Sequence, residues 1–165
     1  MTTTGDRNPE STDGAASLSG FARETIRGLG LHRHPEGGWY RRDWQSPRLL
    51  DGTERPLASM IYFLLPRGEA SAWHRVDADE IWLWHGPSTV SLQLGGNGPS
   101  PAPDGARSTV TLGAGLMVTD PRRPVPAGHA VVPAGVWQKT LPGSGDALVT
   151  CVVSPGFTFE GFTLA

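Results

Sequence analysis

The chain has a single cysteine, no apolar run approaching the ~20 residues needed to span a bilayer, almost no net charge and no repeat of fixed period. Each absence excludes something. Cys151 has no partner for an internal disulfide, and its setting in ALVTCVVS marks it as a small buried core residue rather than a nucleophile. A formal net charge of −2 offers no basic stripe to nucleic acid or to an anionic membrane, so neither is an expected partner. The opening MTTTGDRNPESTDGAAS lacks both the basic and the apolar region of a secretory signal, which leaves the cytoplasm as the expected location.

What is abundant is punctuation. With 22 Gly and 15 Pro beside 38% hydrophobic residues, the chain favours many short strands joined by turns over a helical bundle. Its 165 residues suffice for one domain with a real core. Residues 1–16 are mostly Thr, Ser, Gly, Asp and other small or polar types, which predicts a disordered tail there and a single domain over 17–165. A short helix should follow the tail, capped by Ser19, with Phe21, Thr25, Ile26 and Leu29 at helical spacing and Gly28 or Gly30 ending it. A turn through HPEGG then leads into a strand at Trp39 to Trp44. From Leu57 onward the pattern is almost wholly β: LASMIYFLLP, STVSLQLG, TVTLG, HAVVPAG, VWQKTLPG and ALVTCVVSPGFTF read as strands, and GLMVTDPRRPVPAG as a proline-rich excursion. Roughly eight strands or more predict an all-β fold, an antiparallel jelly-roll β-barrel with a short N-terminal helix.

The run SAWHRVDADEIWLWHG, Ser71 to Gly86, concentrates the candidate chemistry. If Ala72 to Val76 is a strand, Ala72, His74 and Val76 share one face while Trp73 and Arg75 share the other. Asp77 to Asp79 suits a tight turn. A second strand from Glu80 puts Glu80, Trp82 and Trp84 on one face and Ile81, Leu83 and His85 on the other, so His74 and Glu80 can converge inside a barrel. Arg75 then belongs to strand or subunit contacts, His85 to structure or an interface, and His32, in a loop, to the surface. In HPEGGWYR the paired glycines permit close backbone approach and bring Glu36, Tyr40 and Arg41 near a pocket mouth. Arg41 there is either a carboxylate or phosphate clamp or half of an ion pair with an acid such as Asp79.

HPEGGWYR, WHRVDADEIW, VVPAGVWQ and VSPGF, in that order, resemble the segments shared by the cupin-5 family of the cupin superfamily, and the likeness runs from about Leu18 to Leu164. The resemblance implies a jelly-roll barrel, a homodimer and an internal pocket for a small-molecule ligand. Metal-binding cupins offer HxHxxxE and a later histidine; here those positions hold His74, Val76, Glu80 and Gln138. His74, Glu80 and Gln138 are therefore the candidate ligands of a divalent metal, a cofactor the sequence leaves undetermined. Arg42 and Leu83 fall where many relatives carry Glu and His. Without metal, His74 and Glu80 form a catalytic acid–base pair, since an imidazole of pKa near ~6.5 gains or loses a proton at neutral pH. Gln138 then binds a ligand oxygen, and Tyr62, Trp82 and Trp84 line the site or, for the two tryptophans, fill the core. Three functions stand: an acid–base enzyme of isomerase, epimerase or elimination type, a metal-assisted dioxygenase or lyase, and a non-catalytic binding protein.

Overall fold

The computed structural model describes residues 18–115 and 126–165. The expected tail and most of the proline-rich excursion lie outside them.

Helix α1, Gly20–Leu29, begins where Ser19 Oγ accepts from the Ala22 amide at 3.0 Å and ends where Gly30 turns left-handed at φ 64°. Ala22 is its buried residue, packed with Ile26 and Leu29 against Leu64, Tyr62 and Trp39. Phe21, expected on that face, is 42% exposed, because the smaller Ala22 is what lets the helix lie close to the sheet. Among the described residues, no helix is long and apolar enough to cross a membrane.

Among the described residues eleven strands follow: β1 (His32–Arg33), β2 (Trp39–Gln45), β3 (Ser59–Leu65), β4 (His74–Val76), β5 (Asp79–Pro87), β6 (Val90–Leu94), β7 (Ser108–Leu112), β8 (His129–Val132), β9 (Gln138–Thr140), β10 (Ala147–Ser154) and β11 (Phe162–Leu164). They form a six-stranded sheet, β1-β2-β3-β10-β5-β8, facing a five-stranded one, β11-β4-β9-β6-β7. The architecture is a jelly roll whose two sheets remain distinct rather than hydrogen-bonded into one closed barrel. Phe63, Trp82, Leu92, Leu112, Val132 and Val149 fill the space between them.

Register decides which side chains look inward, because residues paired across antiparallel strands share a face. In the larger sheet one rung runs Arg42, Ile61, Cys151, Trp82, and the next Ser59, Val153, Glu80. These look into the sandwich. The rung on the other side of the first, Arg41, Tyr62, Thr150, Leu83, looks out toward the helix side. Across the sandwich His74 pairs with Gln138, and Val76 with Phe162. Strands β1 and β11 were not foreseen: each is two or three residues long, too short for alternation to show.

Candidate functional site

One end of the sandwich encloses a cavity of about 520 Å³. Its inner end is polar and buried: His34, Glu36, His74 and Glu80 are each no more than 9% exposed. Tyr40, Ile61, Val76 and Val153 form the walls, and Arg42, Phe157, Phe159 and Phe162 the outer part.

The HPEGG turn delivers two of the four polar groups. The Gly37 amide donates to the His34 carbonyl at 3.0 Å, and the Ala72 amide donates to the Glu36 carbonyl at 2.6 Å, so the turn is stitched to the strand that carries His74. Gly37 at φ 105° and Gly38 at φ 72° allow this seat. Glu36, expected near the pocket mouth, is thereby pressed to its base. Its Oε2 lies 3.4 Å from His34 Nδ1 and 3.4 Å from His74 Nε2.

The hydrogen bonds fix both tautomers. His74 Nδ1 lies 2.8 Å from the Ala72 carbonyl, which only accepts, so Nδ1 carries a hydrogen and Nε2 in the neutral ring is a bare acceptor. His34 Nδ1 accepts from the Glu36 amide at 3.3 Å and is likewise bare. Glu36 Oε2 thus faces two nitrogen lone pairs. The three atoms are compatible when one proton sits among them, and burial places it on the carboxyl. Desolvation, then the charge of Glu80, raises Glu36 well above the usual carboxylate range. Desolvation lowers His74 to about 4 against the Ala72 hydrogen bond, and lowers His34 to about 4 with help from the charges of His74 and His32.

Glu80 is pushed up to about 7 by burial, against hydrogen bonds from Gln138 and Cys151 that favour its charged form. Gln138 is itself held. Trp82 Nε1 donates to its Oε1 at 3.0 Å, which turns Nε2 toward Glu80 Oε2 at 2.5 Å. Trp82→Phe would leave that amide oxygen buried without its donor, and a loss of about 1–3 kcal/mol in urea unfolding is expected, against none if the indole only fills space that Phe fills equally well.

These shifts set a pH dependence of stability. Between about pH 4 and 6.5 the unfolded imidazoles bind protons the folded ones refuse, so stability rises with pH; over the same range the folded carboxyls keep protons the unfolded ones release, so it falls. The two oppose each other. Above pH 6.5 only the carboxyls act, and stability should decline through pH 7. Glu80→Gln removes its share, and its stability relative to the natural chain should grow by about 3 kcal/mol from pH 4.5 to 8 in urea titrations. A difference independent of pH would contradict the shift.

The structure redistributes the expected residues. His74, Glu80, Glu36 and Arg41 line the cavity, whereas Tyr62, Trp82, Trp84 and Gln138 do not. Tyr62 sits on the outward rung beneath the helix, Trp82 is 1% exposed in the core, and Trp84 turns its Nε1 to the Ser88 carbonyl at 2.8 Å. Gln138 stands behind Glu80. Arg41 does not meet Asp79: its Nη1 donates to the Leu29 carbonyl at 3.0 Å, while Asp79 accepts from the Ala134 amide. Arg75 points away from the cavity onto Trp137, 4.7 Å from its ring centre. Cys151 is buried as expected and also forms part of the wall. His32 is exposed at the rim, its ring 4.4 Å from that of Tyr40. His34 was missed altogether, although its i, i+2 spacing to Glu36 before two glycines is a usable signal.

The donor set does not fit the metal triad His74, Glu80, Gln138. Val76 offers no donor, and Gln138 presents an N–H rather than an oxygen toward Glu80.

Comparison with known proteins agrees with this fold. A structure of a Shewanella oneidensis protein is 36% identical, with 87% of this chain and 84% of that one covered and a TM-score of 0.71. A hypothetical protein from Leishmania major is 28% identical over 87% of this chain and 86% of that one, with a TM-score of 0.72. A variant of Bacillus subtilis oxalate decarboxylase, 14% identical over 83% of this chain and 31% of that one with a TM-score of 0.53, shares the fold alone. No curated protein matches. A family profile described as Cupin superfamily (DUF985) matches residues 23–165, and the chain belongs to that family.

Proposed function

We propose that the chain is an enzyme that moves a proton at the carbon beside a carbonyl group, an isomerisation or epimerisation within the cavity. The observation that carries this reading is Glu36 Oε2 at 3.4 Å from both His34 Nδ1 and His74 Nε2, with Glu80 on the same buried surface. A carboxyl poised near neutrality is a base; a proton held between a carboxyl and a bare imidazole nitrogen is an acid. Glu80, at about 7, takes the proton from carbon as the C–H pair becomes the new C=C bond. The carbonyl π pair then takes the proton shared by Glu36 and His74, giving a neutral enol. Return of the Glu80 proton to the other face or to the neighbouring carbon, with the enol proton going back to the Glu36 and His74 couple, completes the isomerisation. The site carries one negative charge before and after each transfer, which suits a water-poor cavity.

The test is solvent exchange. In D2O with a panel of small ketones, aldehydes, sugars and keto acids, proton NMR should show saturable loss of a C–H signal with at least one of them. Exchange that never exceeds the buffer rate would overturn the reading and leave the cavity as a binding site.

A further inference from the structure

Outside its polar base, the cavity has a side chain that this chemistry does not use. Arg42 stands on an inward rung of β2, two residues beyond Tyr40, whose ring lies 4.4 Å from that of His34. Its Nη2 donates to the Phe157 carbonyl at 3.0 Å, and its guanidinium carbon lies 5.8 Å from the Phe157 ring centre. None of the ion pairs among the described residues involves it. The carbonyl contact and a longer one from Nη1 to Gln45 Oε1 at 3.5 Å fix the head, and the remaining N–H groups of the fork are left to donate.

Between this cation and the base lies an aromatic stretch. The Phe162 ring is 5.7 Å from Phe157 on one side, and 5.8 Å and 5.7 Å from His34 and His74 on the other. Arg55 straps the segment from behind, its Nε donating to the Gly156 carbonyl at 2.6 Å while its guanidinium pairs with Asp77 at 2.7 Å. The Phe157 amide donates to Ser59 Oγ at 2.9 Å. The wall is therefore anchored. Glu36 and Glu80, with the one negative charge of Glu80 between them, sit at the buried far end, and Arg42 is the cation beside Phe157 at the outer end.

We propose that this site takes a small monocarboxylate with a flat apolar body: its carboxylate on Arg42, its body against Phe157 and Phe162, and its carbonyl at the Glu36 and His74 couple. The role of the carbonyl rests on the acid–base reading above; the carboxylate preference does not. Arg41, the other arginine of the lining, is turned away to the end of the helix and takes no part.

The probe is 4-acetylbenzoate, compared by calorimetry with its uncharged isostere 4-acetylbenzamide and with 4-acetylphenyl phosphate. The carboxylate should bind at least about tenfold more tightly than the amide, as expected for a charge-assisted fork. Arg42→Gln should erase that preference while holding amide affinity within about twofold, and Arg42→Lys should recover part of it. Melting of the unliganded variants checks that the Phe157 segment is still in place. Equal affinity for acid and amide, a preference that survives Arg42→Gln in folded protein, or no binding by either would overturn the proposal, as would tighter binding of the phosphate. Methyl-proton exchange in the same samples separates the two readings. Selective binding without exchange sinks the acid–base chemistry and keeps the ligand class; equal exchange on acid and amide sustains the chemistry and sinks the class.

Discussion

Glu80→Gln should slow proton exchange by roughly 10²–10⁴-fold, the range that removal of a positioned general base covers, while ligand affinity changes little. The substitution is nearly isosteric, and its amide oxygen can accept the hydrogen bond that Gln138 Nε2 now gives to Glu80 Oε2 at 2.5 Å. What disappears is the carboxylate that titrates at about 7. In the natural chain kcat/KM should rise with pH and level off above that value, because the basic form of Glu80 is the one that accepts the proton. The variant should lose this limb rather than shift it. Stability should move the other way at high pH, since a buried charge is gone. A variant that loses exchange and stability together has been damaged elsewhere. One that keeps both the rate and the pH limb removes Glu80 from the chemistry.

The two glutamates show how far the sequence could be read. Alternation across DEIWLW put Glu80 and Trp82 on one face, and the structure has them so, on adjacent inward rungs. Alternation is a local property and needs nothing beyond the strand itself. It does not say where along the sandwich a rung lies, which is why Trp82 and Trp84 were candidates for a wall that Phe157 and Phe162 provide. Tyr62 failed for a related reason: LASMIYFLL is apolar on both faces, since one packs the core and the other packs the helix, so periodicity alone could not assign the inward side. The contact of Glu36 with His74 joins segments 38 residues apart. No spacing rule reaches that far, and burying a carboxyl beside two imidazoles runs against any composition-based expectation. Arg42 was passed over because it departs from the pattern of relatives, while Arg41, one residue earlier, alternates to the opposite face.

Gly37→Ala should be strongly destabilising. The residue holds φ at 105°, and a Cβ built there would lie 2.5 Å from the Ala70 carbonyl oxygen, a backbone atom that cannot swing aside. Strain from the dihedral costs roughly 1–3 kcal/mol and the overlap a comparable amount, so a loss of about 3 kcal/mol or more in urea unfolding is expected. Gly52→Ala supplies the control. Its φ is 75°, but nothing lies within 4 Å of the new methyl, so only the dihedral term of about 1 kcal/mol should appear. The difference between the two measures how firmly the turn is seated against residues 70–72. Because the next residue back is Glu36, whose carbonyl accepts from the Ala72 amide, any relief of the clash must lift the carboxyl away from His74. Folded Gly37→Ala protein should therefore lose exchange activity that Gly52→Ala retains. Equal stability in the two variants would mean that the turn rides loosely on the sheet, and that the position of Glu36 is set by something other than the backbone beneath it.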